Sequence, residues 1–148
     1  MIRVLLADDH AVVLEGLVAM IGRQPDMEVV AEADNGLDAV ELWRTHRPDV
    51  LLVDLRMPGL DGTGVITEIR RVDVGARIIV LTTFDTHEEI YRAVKAGAAG
   101  YLLKDARRGE VLEAVRRVHA GHYRLPAELA SKLALRLHDE SLTEREQD

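Results

Sequence analysis

The feature that most constrains the fold of this chain is a set of five short apolar runs rich in β-branched residues. They alternate with stretches in which apolar residues repeat at the spacing of a helix. They recur about every 24 residues, as Ile2–Ala7, Met27–Ala33, Val50–Val53, Arg77–Leu81 and Ala99–Leu103. Near-continuous apolarity over a short run is what a strand covered on both faces requires. Strands that alternate with helices predict βαβ units with right-handed crossovers. We therefore expect an α/β fold, a doubly wound five-stranded parallel sheet of (βα)5 type, over residues 1–121.

The C-terminal part of the chain carries signals of a different kind. Residues 122–140 are predicted to form a linker with a helix, because Pro126 suits the first turn of a helix. Thr143 and Glu146 then form a capping box, which indicates the start of another helix. We expect residues 141–148 to be the first residues of a further domain that is truncated in this sequence.

Composition excludes several classes of protein. The 148 residues include no cysteine, which excludes disulfide scaffolds, thiolate metal sites and thiol catalysis and suits a reducing compartment. A formal charge of -7 argues against nucleic-acid binding by the residues present. The chain has neither a signal-peptide pattern nor an apolar run of the ~18–20 residues needed to cross a bilayer. We predict a cytoplasmic protein with no membrane partner.

Polar and charged residues follow four of the predicted strands. Asp8 and Asp9 follow the first, Asp54 the third, Thr82 the fourth and Lys104 the fifth. The ligand site of an open parallel sheet lies outside the carboxyl ends of its strands, so these side chains are expected to converge. Three crowded carboxylates repel one another unless a cation lies among them, and a hard divalent ion such as Mg²⁺ prefers oxygen ligands. The pattern predicts a magnesium site.

Each of these residues also has an ordinary structural explanation. Asp8 and Asp9 could cap a helix, Asp54 could begin a turn, and Lys104 could extend its ammonium into solvent from a strand end. Their convergence on one edge favours a functional site over these separate explanations. His10 is interpreted as a solvent-exposed residue at a helix N-terminus rather than as a metal ligand.

Four motifs, each at the end of its own strand, carry a resemblance to a known family. They read "LLADDH", "LLVDLRMPGLDG", "IIVLTTF" and "GYLLKDA". Residues 1–121 resemble the response-regulator receiver domain of two-component signalling, which has a flavodoxin-like fold. "LTTFD" and the later "LTERE" are similar to the NarL/FixJ (LuxR-type) subfamily. In that subfamily a linker joins the receiver to a helix-turn-helix DNA-binding domain, whose first residues would be 141–148.

The resemblance implies a role for each of seven residues. Asp54 would be the phosphoacceptor, assisted by Lys104 and Thr82, and Thr82 and Tyr101 would form the switch. Tyr101 could equally be an ordinary aromatic residue at the edge of the core. The Mg²⁺ ligands would be Asp8, Asp9, Asp54 and the backbone carbonyl of Arg56.

The function implied by the resemblance is regulation of transcription gated by phosphorylation. A sensor histidine kinase would phosphorylate Asp54 in a Mg²⁺-dependent step, and the altered conformation would promote homodimerisation and DNA binding through the missing C-terminal domain. The domain would not be an enzyme, since it assists only its own phosphorylation and dephosphorylation. Many receivers have proline after the lysine. Asp105 stands there, and no cis peptide bond is expected.

Two alternatives remain open from the sequence. One is a pseudo-receiver, an interaction module that is never phosphorylated, although the intact acidic pair disfavours it together with Asp54, Thr82 and Lys104. The other is a Mg²⁺-dependent aspartyl phosphotransferase or phosphatase. Such enzymes usually carry a second acid two residues after the nucleophile, and Arg56 occupies that position here.

Overall fold

A computed structural model describes residues 1–83 and 87–123, with His87 described by its backbone alone. The strands are β1 (Ile2–Ala7), β2 (Met27–Ala33), β3 (Val50–Asp54), β4 (Ile78–Thr82) and β5 (Gly100–Leu103). The helices are α1 (Ala11–Gly22), α2 (Gly36–His46), α3 (Gly62–Val72), α4 (His87–Ala96) and α5 (Arg108–His119). The predicted linker helix that begins at Pro126 and the capping box at Thr143 lie outside the described residues.

The five strands form one parallel sheet, in the order β2-β1-β3-β4-β5. This arrangement confirms the predicted doubly wound (βα)5 fold. The chain winds outward in opposite directions from β1 and β3, so a crevice opens where the carboxyl ends of these two central strands meet. That crevice is the expected position of a ligand site.

Two apolar layers cover the sheet, one on each face. Alternate residues of each central strand point to opposite faces, so Leu5 and Leu51 pack in one layer and Leu6 and Leu52 in the other. The first layer is completed by α2, α3 and α4, and the second by α1 and α5. Burial on both faces explains why the strands are nearly continuous apolar runs.

Short-range polar contacts define where the helices begin and end. Asn35 Oδ1 accepts a hydrogen bond from the Asp38 amide at 2.9 Å before α2, and Asp61 Oδ1 accepts one from the Gly64 amide at 2.8 Å before α3. Gly97, with φ of 118°, follows α4 as the predicted C-cap glycine. Among the residues described, no helix is both long and apolar enough to cross a membrane.

Gly62 lets the β3–α3 loop fold tightly back over the end of β3. Its amide donates to the Leu55 carbonyl at 2.8 Å. A Cβ atom at this position would lie 2.5 Å from the Asp54 carbonyl oxygen and 2.7 Å from Leu55 Cα. This close approach of two backbone segments fixes the position of Asp54 at the crevice.

Candidate functional site

The structure brings the polar strand-end residues together at the carboxyl edge of the sheet. Asp54 is the last residue of β3 and Thr82 the last of β4, while Asp8 and Lys104 directly follow β1 and β5. Asp8, Asp54 and Thr82 are the buried polar residues of the described chain. Because these residues come from four parallel strands, the fold itself sets their spacing.

Lys104 supplies the positive charge at the centre of this site. Its Nζ lies 3.0 Å from Asp54 Oδ2 and 3.0 Å from Asp8 Oδ2, and it donates to Asp8 Oδ1 at 3.1 Å. Its side chain is 6% exposed, which rules out a solvated lysine at a strand end. The Lys104 amide donates to the Thr82 carbonyl at 2.8 Å, which holds its backbone against β4. The peptide bond to Asp105 is trans.

The pKa of the Asp54 carboxyl is set by opposing effects of burial and of its charged neighbours. Burial raises the pKa of the Asp54 carboxyl above its ordinary value of 3.8. The hydrogen bond and charge of Lys104 oppose this rise, and the negative charge of Asp8 adds to it. Asp54 Oδ1 also accepts a hydrogen bond from the Arg56 amide at 3.3 Å. The neighbours of Asp54 therefore hold its carboxylate in place, but the positive charge of Lys104 offsets only part of the effect of burial and of the negative charge of Asp8.

The donor atoms of the site fit a divalent cation. Asp8, Asp9, His10 and Asp54 each offer one ligand atom, and these four atoms lie within 4.8 Å of one another. Asp8 is 1% exposed, yet its Oδ2 accepts no hydrogen bond from any described residue, although it lies beside the Lys104 ammonium. Three carboxylates face one ammonium, so two negative charges remain to be balanced. Their oxygens are the ligands that Mg²⁺ prefers.

The predicted switch residues both lie inside the protein. Thr82 is buried at the end of β4, beside Leu103 of β5. Tyr101 is fully buried and packs with the layer that contains α4, including Ile90 and Ala93. This position suits either a switch aromatic or a core aromatic, so the switch role remains a prediction.

Arg56 connects the β3–α3 loop to α4. Its guanidinium donates to Glu89 Oε1 at 2.5 Å, across 33 positions of sequence. The predicted role of its backbone carbonyl as a metal ligand remains a prediction. The contact between Arg56 and Glu89 was not foreseen, because no local sequence pattern signals an ion pair between two distant surface residues.

His10 lies closer to the site than its interpretation as a solvent-exposed residue implied. The ring is 57% exposed, but its Nδ1 lies 3.0 Å from Asp8 Oδ1, 3.2 Å from Asp9 Oδ1 and 2.7 Å from Lys104 Nζ. His10 is the N-cap residue of α1, and its side chain makes no capping bond. The sequence signal was its place directly after the acidic pair, at the end of a buried strand.

Fold and site together define a doubly wound α/β domain with an acidic, lysine-paired pocket at the carboxyl edge of its sheet. The family model described as "Response regulator receiver domain" matches residues 4–116. The chain belongs to this family.

Curated relatives and solved structures agree with this assignment. The transcriptional regulatory protein LiaR of Bacillus subtilis is 42% identical over 154 residues, which cover 99% of this chain and 73% of LiaR. The probable transcriptional regulatory protein NarL of Mycobacterium tuberculosis is 41% identical over 114 residues, covering 77% of this chain and 53% of that protein. A LuxR-family two-component response regulator from Aurantimonas superposes with a TM-score of 0.84 at 34% identity, covering 92% of this chain and 97% of that one.

Proposed function

We propose that this chain is the phosphoacceptor domain of a NarL/LuxR-type transcriptional response regulator, and that a sensor histidine kinase phosphorylates it on Asp54. One observation carries the proposal. The buried carboxylate of Asp54, 2% exposed, lies 3.0 Å from the Lys104 ammonium and beside the acidic pair Asp8 and Asp9. A nucleophile, a fixed positive charge and a set of divalent-ion ligands thus meet in one crevice.

The side chains of this crevice suit transfer of a phosphoryl group to a carboxylate. An oxygen of Asp54 forms a bond to phosphorus while the bond to the donor's leaving atom breaks, and the leaving group keeps that electron pair. The transition state is loose, so positioning and charge neutralisation supply most of the rate. Lys104 neutralises phosphoryl oxygens from the β5 side. When bound by Asp8, Asp9, Asp54 and the Arg56 carbonyl, Mg²⁺ supplies further charge neutralisation.

Thr82 and Tyr101 would convert phosphorylation of Asp54 into a change of conformation. Thr82 ends the strand next to β3, so its hydroxyl can move to donate a hydrogen bond to a phosphoryl group on Asp54. Such a movement leaves space near the end of β4, and Tyr101 on the neighbouring strand can turn into it. A local change of charge would in this way bias a two-state element.

DNA binding, the proposed response to phosphorylation, would be carried out by a domain other than the receiver. The chain spans 73% of the length of LiaR and 53% of that of the mycobacterial NarL, both of which are named as transcriptional regulatory proteins. We propose that DNA is bound by a C-terminal domain that begins near residue 141, not by the receiver, whose residues 1–120 hold 20 acidic and 15 basic side chains. Phosphorylation would promote homodimerisation of the receivers.

The test is incubation of the protein with acetyl phosphate and Mg²⁺, followed by intact mass spectrometry and size-exclusion chromatography. We expect a single phosphoryl adduct, which is lost in Asp54→Ala and absent when the metal is chelated. Phosphorylated protein should elute earlier, as a dimer. An adduct that survives Asp54→Ala contradicts the phosphoacceptor assignment, and elution indifferent to phosphorylation contradicts the dimer.

The same samples discriminate the two alternatives. A pseudo-receiver gives no adduct under any condition. A phosphotransferase or phosphatase turns over acetyl phosphate, or another phosphate ester, many times per protein molecule without accumulating the adduct. The identity of residue 56 disfavours this second alternative, because Arg56 occupies the position, two residues after Asp54, where such enzymes usually carry their second acid.

A further inference from the structure

A cavity of about 490 Å³ opens at the amino edge of the sheet, the edge opposite to the acidic crevice. Its walls include Ala76 and Arg77, which lead into β4, and Ala98 and Ala99, which lead into β5. We propose that this amino-edge cavity binds an organic anion, whose carboxylate or phosphate group is held by Arg70 and Arg77 and whose apolar body fills the remaining space. The proposal does not depend on the proposed function.

The lining of the amino-edge cavity is basic, although the chain as a whole is acidic. Arg70, Arg77 and His122 line it, and none of its described lining residues is an aspartate or a glutamate. In the whole chain, acidic residues outnumber Lys and Arg by 26 to 19. Within the described residues, both arginines bond to backbone carbonyls and neither forms an ion pair. Two positive charges therefore face the cavity without a carboxylate to balance them.

Backbone carbonyls hold both guanidinium groups in position. Arg70 Nη1 donates to the Ala76 carbonyl at 3.3 Å, and Arg77 Nη1 donates to the His119 carbonyl at the end of α5. A guanidinium has five N–H groups, so these bonds leave most of the donors for another acceptor. The planar arrangement of the donors matches the oxygens of a carboxylate or a phosphate.

Gly97 determines where the Arg70 side chain lies in the wall of the cavity. A Cβ atom at position 97 would lie 2.2 Å from both Cδ and Nε of Arg70. Any side chain at position 97 would therefore displace the guanidinium. Because Arg70 is half-buried, packing against Gly97 fixes its position before a ligand binds.

Apolar side chains complete the cavity and indicate the kind of anion that fits. Ala98 and Val118 are each 1% exposed, whereas Val74 and Tyr123 on the same lining are 78% and 77% exposed. An apolar or aromatic ligand body would cover Val74 and the Tyr123 ring, and burial of their surface favours binding. The volume also lies in the range of about 300–1,000 Å³ that small-molecule sites have. An organic anion therefore fits the cavity better than an inorganic one.

The experiment is an NMR titration of the ¹⁵N-labelled protein with phenyl phosphate, in the presence of a chelator so that no metal occupies the acidic crevice. The amides of Gly75, Gly97 and Gly121 report on the cavity that these residues line. They should shift and reach saturation, whereas the amide of Gly62, next to Asp54, should not shift. Benzoate is titrated in parallel, and the anion that binds more tightly identifies the preferred anionic group. Binding of neither anion overturns the proposal.

Two variants test the arginines. Arg70→Gln and Arg77→Gln should each weaken binding about tenfold or more, because each removes charge-assisted hydrogen bonds to the anion. Circular dichroism checks that the variants fold, and Arg77 is exposed, so its replacement keeps the test available if Arg70→Gln unfolds. Arg71→Gln is the matched control. Arg71 adjoins Arg70 in sequence but pairs with Glu68 at 3.0 Å on the surface of α3, so its loss should change affinity by less than about twofold.

Two further probes test the class of ligand. Benzyl alcohol has the aromatic body without the charge, and inorganic phosphate has the charge without the body. Each should bind about tenfold more weakly than phenyl phosphate, or less tightly still. Affinity equal to that of phenyl phosphate for either probe would overturn the proposal. Equal weakening by Arg71→Gln and by the two cavity variants would also overturn it, because general charge would then explain the binding.

The chain itself contains a competing source of anionic groups. Residues 139–148 hold five acidic side chains and lie outside the described residues. The full chain with these five acids replaced by the corresponding amides is therefore compared with wild type. If the replacement alone shifts the amides of Gly75 and Gly97, this segment occupies the cavity and the proposal of a separate organic anion is overturned. Unchanged amides and unchanged phenyl phosphate affinity support the proposal.

Discussion

Lys104 and Asp54 form an almost fully buried ion pair across the carboxyl edge of the sheet, with Nζ 3.0 Å from Oδ2. The same ammonium also contacts both carboxylate oxygens of Asp8. One lysine thus compensates two buried carboxylates that come from different strands. The charge balance of the whole site depends on this side chain.

Replacing Lys104 should therefore destabilise the domain. In Lys104→Met, Asp8 and Asp54 lose their shared positive partner, and removal of one member of a buried pair costs about 3 kcal/mol. We expect a loss of this size in the free energy of unfolding, measured by urea denaturation with a chelator present. Added Mg²⁺ should raise the stability of the variant more than that of wild type, because the ion replaces the missing charge.

Lys95→Met is the matched control. Lys95 lies exposed on α4, with Nζ 5.5 Å from the centre of the Tyr91 ring. Its loss should change the free energy of unfolding by no more than about 1 kcal/mol, and its response to Mg²⁺ should match that of wild type. A Mg²⁺ response in Lys104→Met no larger than in the control would contradict the charge-balance account.

Gly62→Ala should disturb the support of Asp54. The new Cβ would lie 2.5 Å from the Asp54 carbonyl oxygen, so backbone must shift, and overpacking of this kind costs about 1–3 kcal/mol. Gly16→Ala on α1 is the control, since no atom other than those of its chain neighbours and of the backbone of its own helix lies within 4 Å of its Cβ position. That substitution should raise stability by about 0.5–1 kcal/mol, because alanine favours a helix over glycine. Equal effects of the two substitutions on thermal unfolding would contradict this account of Gly62.

The sequence predicted the sheet well, because strands buried on both faces leave an unambiguous apolar signature. The bounds of β1 and β2 were predicted as observed, whereas β4 begins and ends one residue later than the predicted Arg77–Leu81. The Arg77 carbonyl still accepts a hydrogen bond from the Leu51 amide of β3 at 3.0 Å, and its guanidinium donates to the His119 carbonyl. Helix faces were less predictable. Val12 belongs to the apolar pattern of α1 but is 82% exposed. Its exposure was not predictable, because α1 has a single charged residue and its sequence therefore does not distinguish a buried face from an exposed one.

The residues of the candidate site also divide into those that the sequence predicts and those that it does not. Asp8, Asp54 and Lys104 could be placed from the sequence because each stands at or directly after a strand end, where topology alone determines the neighbours. The contribution of His10 depends on the direction of its ring, which a backbone pattern does not encode. The contact between Arg56 and Glu89 depends on how α4 packs beside the β3–α3 loop, and it too follows only from the folded structure.

The pair of Asp26 and Arg116 should show a simple pH dependence. Two hydrogen bonds, of 2.9 Å and 3.0 Å, join the guanidinium to the carboxylate, and they lower the pKa of Asp26 below 3.8. A lowered pKa means that the pair stabilises the fold above about pH 3.8 and that this contribution is lost as the pH falls through the folded-state pKa. In Arg116→Gln, the NMR titration of Asp26 should return towards 3.8.

Arg117→Gln is the control for that titration, because Arg117 pairs with Glu113 at 3.5 Å on the same helix. It should leave the pKa of Asp26 low. If the titration of Asp26 moves equally in both variants, a general loss of positive charge explains the shift better than the specific pair.

Arg56 and Glu89 should influence the lifetime of the phosphoryl group if Asp54 is the acceptor. Their ion pair ties the side chain of Arg56, whose amide donates to Asp54 Oδ1, to α4, and we expect its loss to admit water to Asp54 more readily. We expect Arg56→Ala and Glu89→Gln to lose phosphate a few-fold faster than wild type, by phosphate release after removal of the donor. Because the pair is partly exposed, stability should change by less than about 1 kcal/mol. An unchanged or longer lifetime in both variants would contradict this role.

The most direct test of the account is the location of the phosphoryl group itself. Protein treated with acetyl phosphate and Mg²⁺ is reduced with borohydride, which converts an aspartyl phosphate to homoserine, and the product is mapped by tandem mass spectrometry. Asp105→Asn, which removes an exposed carboxylate beside Lys104, should leave the labelling unchanged. The account predicts homoserine at position 54 alone. Homoserine at position 8, 9 or 105, or no conversion at all, would contradict it.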